Sequence, residues 1–432
     1  MRKPFLFVAL CAQITFLAPS VIASEWKGKG SWSRASEVGA IALENGQFLR
    51  AEQTFKEALK LARNSGNKEF IANSLCNLAA AEDALGKNGE AISISREAVA
   101  ILERESHLRP DLYVALNNLA AIYLSSGRVS DAVAAYKRIV TVMAKDSEAK
   151  PSDRTRYLDL LAELCAKEGR LEEALPLCAQ SLVIKEKAHF AGGEVANAMS
   201  RLANLYYCLG RLREAEVYNK RALAIEQKLA DTIGVTAVYN NLGLIYTEQG
   251  RYGEAESAFR RALAVLEKRA GTDEKLSQTL GNLASVYMEK EQPQRAEPLY
   301  LRALQIKEKL VGASAEELDG ELSNLANCYR HQGKLAKAGL LFDRALKIVS
   351  KSGMNDFQKA PFLNNLALFY VTQGKYSQAE LLYKRSIAAL EKGLGTKHPE
   401  VSRIRRNYAD LLDHVNRHDE SRALRIKAGK IK

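Results

Sequence analysis

Tyr239-Asn-Asn-Leu-Gly-Leu-Ile-Tyr246 is the stretch on which the fold turns. It returns as Leu116-Asn-Asn-Leu-Ala-Ala-Ile-Tyr123 and as Leu363-Asn-Asn-Leu-Ala-Leu-Phe-Tyr370. Each copy is followed four residues later by a glycine: Gly250, Gly127 or Gly374. Working outward, glycine marks the same place in eight copies, at Gly46, Gly86, Gly127, Gly169, Gly210, Gly250, Gly333 and Gly374. Glu291 and Asn416 hold that register in two more. Successive marks stand 40 to 42 residues apart, so ten units run from about Ser33 to Lys427. A fixed period in this range signals a stacked-repeat architecture.

Each unit reads as a helical hairpin. The first helix carries a leucine followed by a small residue, as in Leu78-Ala79, Leu119-Ala120, Leu242-Gly243 and Leu325-Ala326. The small residue lets two helices approach, and the leucine fills the space beside it. The glycine supplies the backbone freedom that a helix end requires. Five residues later a second small residue recurs, as at Ala51, Ala132, Ala255 and Ala379, and it opens the second helix to its partner. One hairpin cannot bury its apolar face alone, so neighbours must stack to complete the core.

This pattern resembles the tetratricopeptide repeat family. That family places small residues at repeat positions 8, 20 and 27, aromatics at 11 and 24, and glycine near 15. Tyr123, Tyr206, Tyr246, Tyr287, Tyr329 and Tyr370 match position 11. Phe55, Tyr136, Phe259, Tyr300, Phe342 and Tyr383 match position 24. The period of about 41, the phrase Arg-Ala-Leu-Ala-Ile and the run Gly395 to Val401 resemble the long kinesin light chain type. Glu82, Asn219 and most of the tenth unit depart from the pattern. The resemblance implies an all-α, right-handed superhelical solenoid of about ten hairpins, with first helices lining a concave groove that holds peptides or protein segments.

The position before the leucine is repeatedly asparagine: Asn77, Asn118, Asn241, Asn282, Asn324, Asn365 and Asn407. By resemblance it faces the groove, where a side-chain amide offers two donors and an acceptor to an extended main chain. A helix-start or solvated role is the alternative. The row breaks at Leu160 and Arg201. By the same resemblance, Asn327, Asn365 and Arg403 fall where chaperone-binding members grip a terminal carboxylate, with Arg406 adjacent. Ser323 and Asn407 stand where that clamp has basic residues, so the match is partial. Arg330, His331, Arg403, Arg405 and Arg406 bias this end toward acidic segments. Cys165 and Cys178 take the two aromatic positions of one hairpin. Their expected states are a disulfide across the hairpin or two inert thiols.

Residues 1–23 read as a secretory signal: Arg2 and Lys3, then the apolar run Phe5 to Ala18, then Val21-Ile22-Ala23. Gln13, Thr15 and Pro19 make it poor as a permanent span; an uncleaved anchor is the alternative, and membrane association is expected only in that case. A linker is expected over 24–32, the solenoid over 33–427 and a tail over 428–432. Of six cysteines, Cys11 leaves with the signal, and the odd five that remain do not make a disulfide-built scaffold.

The 432 residues are 47% hydrophobic and 26% charged, with only 9 prolines, which excludes wholesale disorder and a multi-span membrane protein. Lys+Arg 63 against Asp+Glu 51 gives +12, but the positives alternate with glutamates, so nucleic acid is not an expected partner. No phosphate loop, His-Glu-x-x-His or Gly-x-Ser-x-Gly occurs in the sequence. His414 and His418 flank the expected turn residue Asn416, so they are not expected to form a metal pair. No catalytic residue, metal or cofactor is expected. The sequence therefore points to an exported, periplasmic or secreted scaffold or adaptor that binds a protein or peptide in its groove. The alternative is a structural subunit of an envelope or secretion assembly, bound through its convex face.

Overall fold

Tyr123 and Leu124 show how a hairpin closes. The Arg128 N–H donates to the Tyr123 carbonyl at 2.7 Å and the Gly127 N–H to that of Leu124 at 3.0 Å. This pair of bonds requires the left-handed conformation at Gly127, whose φ is +71°. Glu291 (φ 56°) and Asn416 (φ 62°) adopt it without being glycine, which places them at the two turns where the repeat lacks one.

The computed structural model describes residues 30–429 apart from 230–231, 270, 272, 313–314 and 397. The expected signal (1–23), Cys11, Trp26 and most of the expected linker lie outside the described residues. So do 430–432 of the tail. Twenty α-helices form ten hairpins among the described residues. In chain order they are α1 (Gly30–Glu44) with α2 (Phe48–Ser65), α3 (Lys68–Ala84) with α4 (Asn88–Leu102), and α5 (Arg109–Ser125) with α6 (Val129–Ala144). Next come α7 (Pro151–Lys167) with α8 (Leu171–Lys187), α9 (Gly192–Cys208) with α10 (Leu212–Leu229), and α11 (Thr232–Glu248) with α12 (Tyr252–Leu266). The last are α13 (Asp273–Glu289) with α14 (Pro293–Val311), α15 (Asp319–His331) with α16 (Leu335–Lys351), α17 (Asp356–Thr372) with α18 (Tyr376–Leu394), and α19 (Pro399–His414) with α20 (His418–Lys427). The chain forms two compact units, which part inside α10 between Ala215 and Glu216.

The expected linker is helical from Gly30, three residues before the predicted start of the repeats. Trp32 explains the extension. Its ring stacks on Phe70 at 4.0 Å, and its indole N–H donates to Ser74 Oγ at 2.8 Å. At the other end of the chain, the last helix stops at Lys427.

The core follows the small residues. Ala51, Ala91, Ala132, Ala174, Ala215, Ala255, Ala296, Ala338 and Ala379 are fully buried. Opposite them the aromatic of the second helix seats on the small residue of the first. A Cβ built on Gly243 would lie 2.6 Å from the Phe259 ring, and one on Gly39 would lie 2.5 Å from Phe55. Where helices approach this closely, side-chain volume is fixed by the neighbour.

A second ladder runs between hairpins. The residue after the buried alanine of the second helix is glutamate at Glu52, Glu216, Glu256, Glu297 and Glu380. A cation beside the next turn reaches back to each. Lys87 meets Glu52 at 3.0 Å and Arg251 meets Glu216 at 2.7 Å. Lys290, Lys334 and Arg417 meet Glu256, Glu297 and Glu380 at 2.7, 2.8 and 2.7 Å. Arginines that directly follow the turn glycine lie over the position-11 tyrosines, with Arg128 5.0 Å from Tyr123, Arg211 4.6 Å from Tyr206 and Arg251 4.3 Å from Tyr246. Glu82, which departs from the aromatic pattern, is ion-paired with Lys87 at 3.0 Å.

These contacts set the acid limit of the fold. Hydrogen bonds from Lys56 and Lys87 hold Glu52 at about 2, well below its ordinary 4.5. The Arg417 bond, with help from Lys384 and Tyr408, holds Glu380 at about 2 as well. The folded values are depressed, so the stabilisation is present above about pH 4.5 and is lost as pH falls toward 2. The melting temperature is expected to stay level down to about pH 5 and then to fall. Glu52→Gln combined with Glu380→Gln should flatten that fall. A wild-type melting curve unchanged at pH 2.5 would show that the ladder adds no stability.

Candidate functional site

The first helices of the second unit, α11, α13, α15, α17 and α19, carry most of the asparagine row. Asparagine in a helix can reach a neighbour as well as a ligand, and the neighbour is present from birth. Asn407 Nδ2 donates to Asn364 Oδ1 at 2.9 Å, Asn364 Nδ2 to Asn365 Oδ1 at 3.2 Å, and Asn365 Nδ2 to Ser323 Oγ at 3.0 Å. This chain of donors all pointing one way ties α19, α17 and α15 together. Each bond polarises the next, which favours keeping the chain intact. Asn241 is buried and reaches the departure residue Asn219 at 3.5 Å. In the first unit, Asn77 and Asn118 are also buried.

Asn282 is half-buried and Asn324 is exposed. Of the seven, these two are the ones whose amides remain at the surface with no hydrogen bond to another described residue. The row is thus divided: Asn241, Asn365 and Asn407 bond to neighbouring helices, Asn77 and Asn118 are buried, and Asn282 and Asn324 face solvent. Sequence spacing treats all seven alike, because a bond across 42 or 43 residues has no local signature.

The basic end is divided in the same way. Arg403 Nη2 is paired with Glu400 at 2.8 Å, one turn away on α19. Arg405 is buried. It donates to the Thr396 carbonyl at 2.8 Å, to the Lys427 carbonyl at 2.9 Å and to Glu391 at 2.6 Å. The sequence reading of Arg405 as a surface charge for acidic partners is therefore corrected: it fastens α20 and the loop before α19. Arg406 is half-buried on α19.

Arg330 differs from both. Its Nε donates to Asn327 Oδ1 at 3.3 Å, and its Nη2 lies 2.8 Å from His331 Nε2. Both partners are neutral acceptors, and among the described residues no carboxylate is paired with it. Burial pushes the Arg330 guanidinium down, and burial followed by the Arg330 charge lowers His331. A half-buried cation without a counter-ion stands ready for an anionic group. Its neighbour Asn327 is half-buried beside it. The sequence ranked Arg330 only as a general bias; no local pattern separates it from the paired arginines.

Cys165 and Cys178 are free thiols, as are Cys76 and Cys328. Of the two expected states, this structure has the thiols and not the bridge. Position 24 sits over position 8 of its own hairpin, as Phe259 over Gly243 shows, which sets Cys178 against Ala162 and Cys165 about one turn further on. Burial pushes the Cys178 thiol up to about 12 and raises Cys165 as well, so both stay protonated and inert. His414 Nε2 meets Tyr376 Oη at 2.8 Å and His418 Nδ1 meets Asp413 at 3.2 Å, so the two imidazoles have separate partners. No group of three metal-binding side chains occurs among the described residues, and none of the described helices is long and apolar enough to cross a membrane.

A tetratricopeptide repeat model matches residues 33–104, 153–228, 234–309, 321–392 and 358–425, and a second one matches 115–150. No curated protein matches the chain. Among solved structures, the apo quorum sensor NprR from B. thuringiensis is 17% identical, covers 86% of this chain and all of its own, and gives a TM-score of 0.57. Apo RapI is 16% identical, covers 63% of this chain and 96% of its own, at a TM-score of 0.53. A putative kinesin light chain from Podosopora anserina is 23% identical over 45% of this chain and 94% of its own, at 0.40.

Proposed function

The chain belongs to the tetratricopeptide repeat family, and from that premise we infer that it is an exported, non-catalytic scaffold whose second unit holds an extended, acidic segment of a protein partner along its first helices. Arg330 carries the reading. It is a half-buried cation whose partners are neutral, and it stands beside Asn327 on the helix that also presents Asn324. A carboxylate there gains a charge-assisted bond of about 1.5–3 kcal/mol, more than the roughly 1 kcal/mol of a neutral amide contact. Export rests on the order of basic, apolar and small residues in 1–23. Nucleic acid is disfavoured because the turn cations are already paired with glutamates.

A short peptide ending in an acidic pair and a free carboxylate is the probe. Arg330→Ala is expected to weaken its binding by about tenfold or more, and Asn324→Ala by severalfold, as read by fluorescence anisotropy. Affinity unchanged in both variants would defeat the groove reading.

One observation favours the assembly alternative. Leu340 on α16 and Leu381 on α18 occupy the same register on adjacent second helices and are 72% and 67% exposed. Under that reading, Leu340→Asp with Leu381→Asp abolishes incorporation into a larger complex and leaves peptide affinity untouched.

A further inference from the structure

The first hairpin leaves a repeat interface open. In later hairpins the residue before the small one is buried: Leu78, Leu119, Leu202, Leu242, Leu283 and Leu325 are at most 5% exposed. The residue three further on is buried too, with Ile122, Leu205, Ile245, Val286, Phe369 and Leu411 at most 4% exposed. In α1 these places are held by Val38, at 39%, and Ile41, at 53%. Nearby, Leu49 is 65% exposed at a register where the other nine hairpins have polar or small residues such as Gly89, Ser130 and Asp419. The opposite terminus is closed with charge. Arg425 bridges Asp410 at 2.6 Å and Asp413 at 2.8 Å across the last hairpin. Repeat arrays keep their ends soluble with such polar caps, and among the described residues the α1 end shows none.

We propose that this face pairs with the same face of a second copy of the chain, α1 against α1 in antiparallel orientation about a two-fold axis. The charges on α1 fit that arrangement. The exposed stripe reads Arg34, Glu37, Val38, Ile41, Glu44. Arg34 stands four residues before Val38 and Glu44 three after Ile41, so a two-fold centred between the apolar pair sets each Arg34 beside the other copy's Glu44. A two-fold contact is self-complementary and closes, giving a dimer and no filament. Head-to-tail pairing would set the apolar α1 face against the ion-paired Arg425 end, and that match is poor. A single 15-residue helix face falls short of a standard interface of about 800 Å² per partner, so the dimer is weak and concentration-dependent.

Sedimentation velocity of the full chain from about 1 to 100 µM tests this, a span that brackets a micromolar pair. The wild type is expected to shift from monomer to dimer. Val38→Glu with Ile41→Glu should hold it monomeric at every concentration with an unchanged circular dichroism spectrum. Arg34→Glu alone and Glu44→Arg alone should each raise the dissociation constant at least about tenfold, and the two together should restore it. A monomeric wild type overturns the proposal. So does a dimer that survives the double glutamate variant, or a charge swap that fails to restore pairing. A chain that dimerises only after residues 1–29 are removed also overturns it, and assigns the face to the chain's own N-terminal segment.

Discussion

Phe259→Ala is expected to destabilise the second unit by about 3–5 kcal/mol, the cost of deleting a fully buried aromatic from a rigid interface. The ring occupies the space that Gly243 leaves, 2.6 Å from where a Cβ would stand, so α11 has no side chain with which to refill the hole. Ala258, Ala262 and Leu263 around it are buried on a helix already in close contact, which limits collapse. Stability in a repeat array is a sum of units and nearest-neighbour interfaces, so the loss should begin in the second unit. Trp32 gives the readout, since it stacks on Phe70 within the first unit. Helix content followed by circular dichroism should melt earlier, while the Trp32 fluorescence midpoint holds. If both midpoints move together by the same amount, the local account fails.

Arg405→Ala is the second large effect. Its side chain is 6% exposed and supplies bonds to Glu391 and to the carbonyls of Thr396 and Lys427. Arg405 is buried but Glu391 is 32% exposed, so its loss costs less than the about 3–5 kcal/mol of a fully buried pair, while the two carbonyls lose their donor. Here the stranded groups lie on three segments: the end of α18, the loop before α19 and the end of α20. The expected outcome is detachment of α20, seen as loss of hydrogen-exchange protection over 418–427 and early cleavage there by trypsin. Arg405→Lys should recover only part of the stability, because one ammonium cannot reproduce the planar fork. Protection unchanged in Arg405→Ala would show that the last hairpin is held by its apolar contacts, among them Leu411 and Leu412.

Both effects bear on how far the chain could be read before its structure. The turn register was legible down to its exceptions: Glu291 and Asn416 were placed by spacing, and both take the left-handed backbone. The buried alanines were legible for the same reason, since a period of about 41 repeats the same local environment. The Glu–cation ladder was not read from the sequence: its glutamates follow the buried alanines in register, but Lys290 and Arg417 follow no glycine and the pairing needed the stacking distance. Asn365 and Asn324 look alike in sequence; one donates to Ser323 and the other faces solvent.

The sequence by itself determined the helical hairpins, their number, their turns and the small residues at which they meet, because these depend on contacts within one period of the chain. Tertiary structure alone decided which asparagines are bound to neighbours, that Arg405 is buried while Arg330 lacks a counter-ion, and that Cys165 and Cys178 stay thiols. The physical reason is one of range. A polar side chain has two or three bonds to give, and whether they go to a residue some 40 positions away or to a ligand is settled by separations of about 3 Å. Periodicity along the chain does not encode those separations.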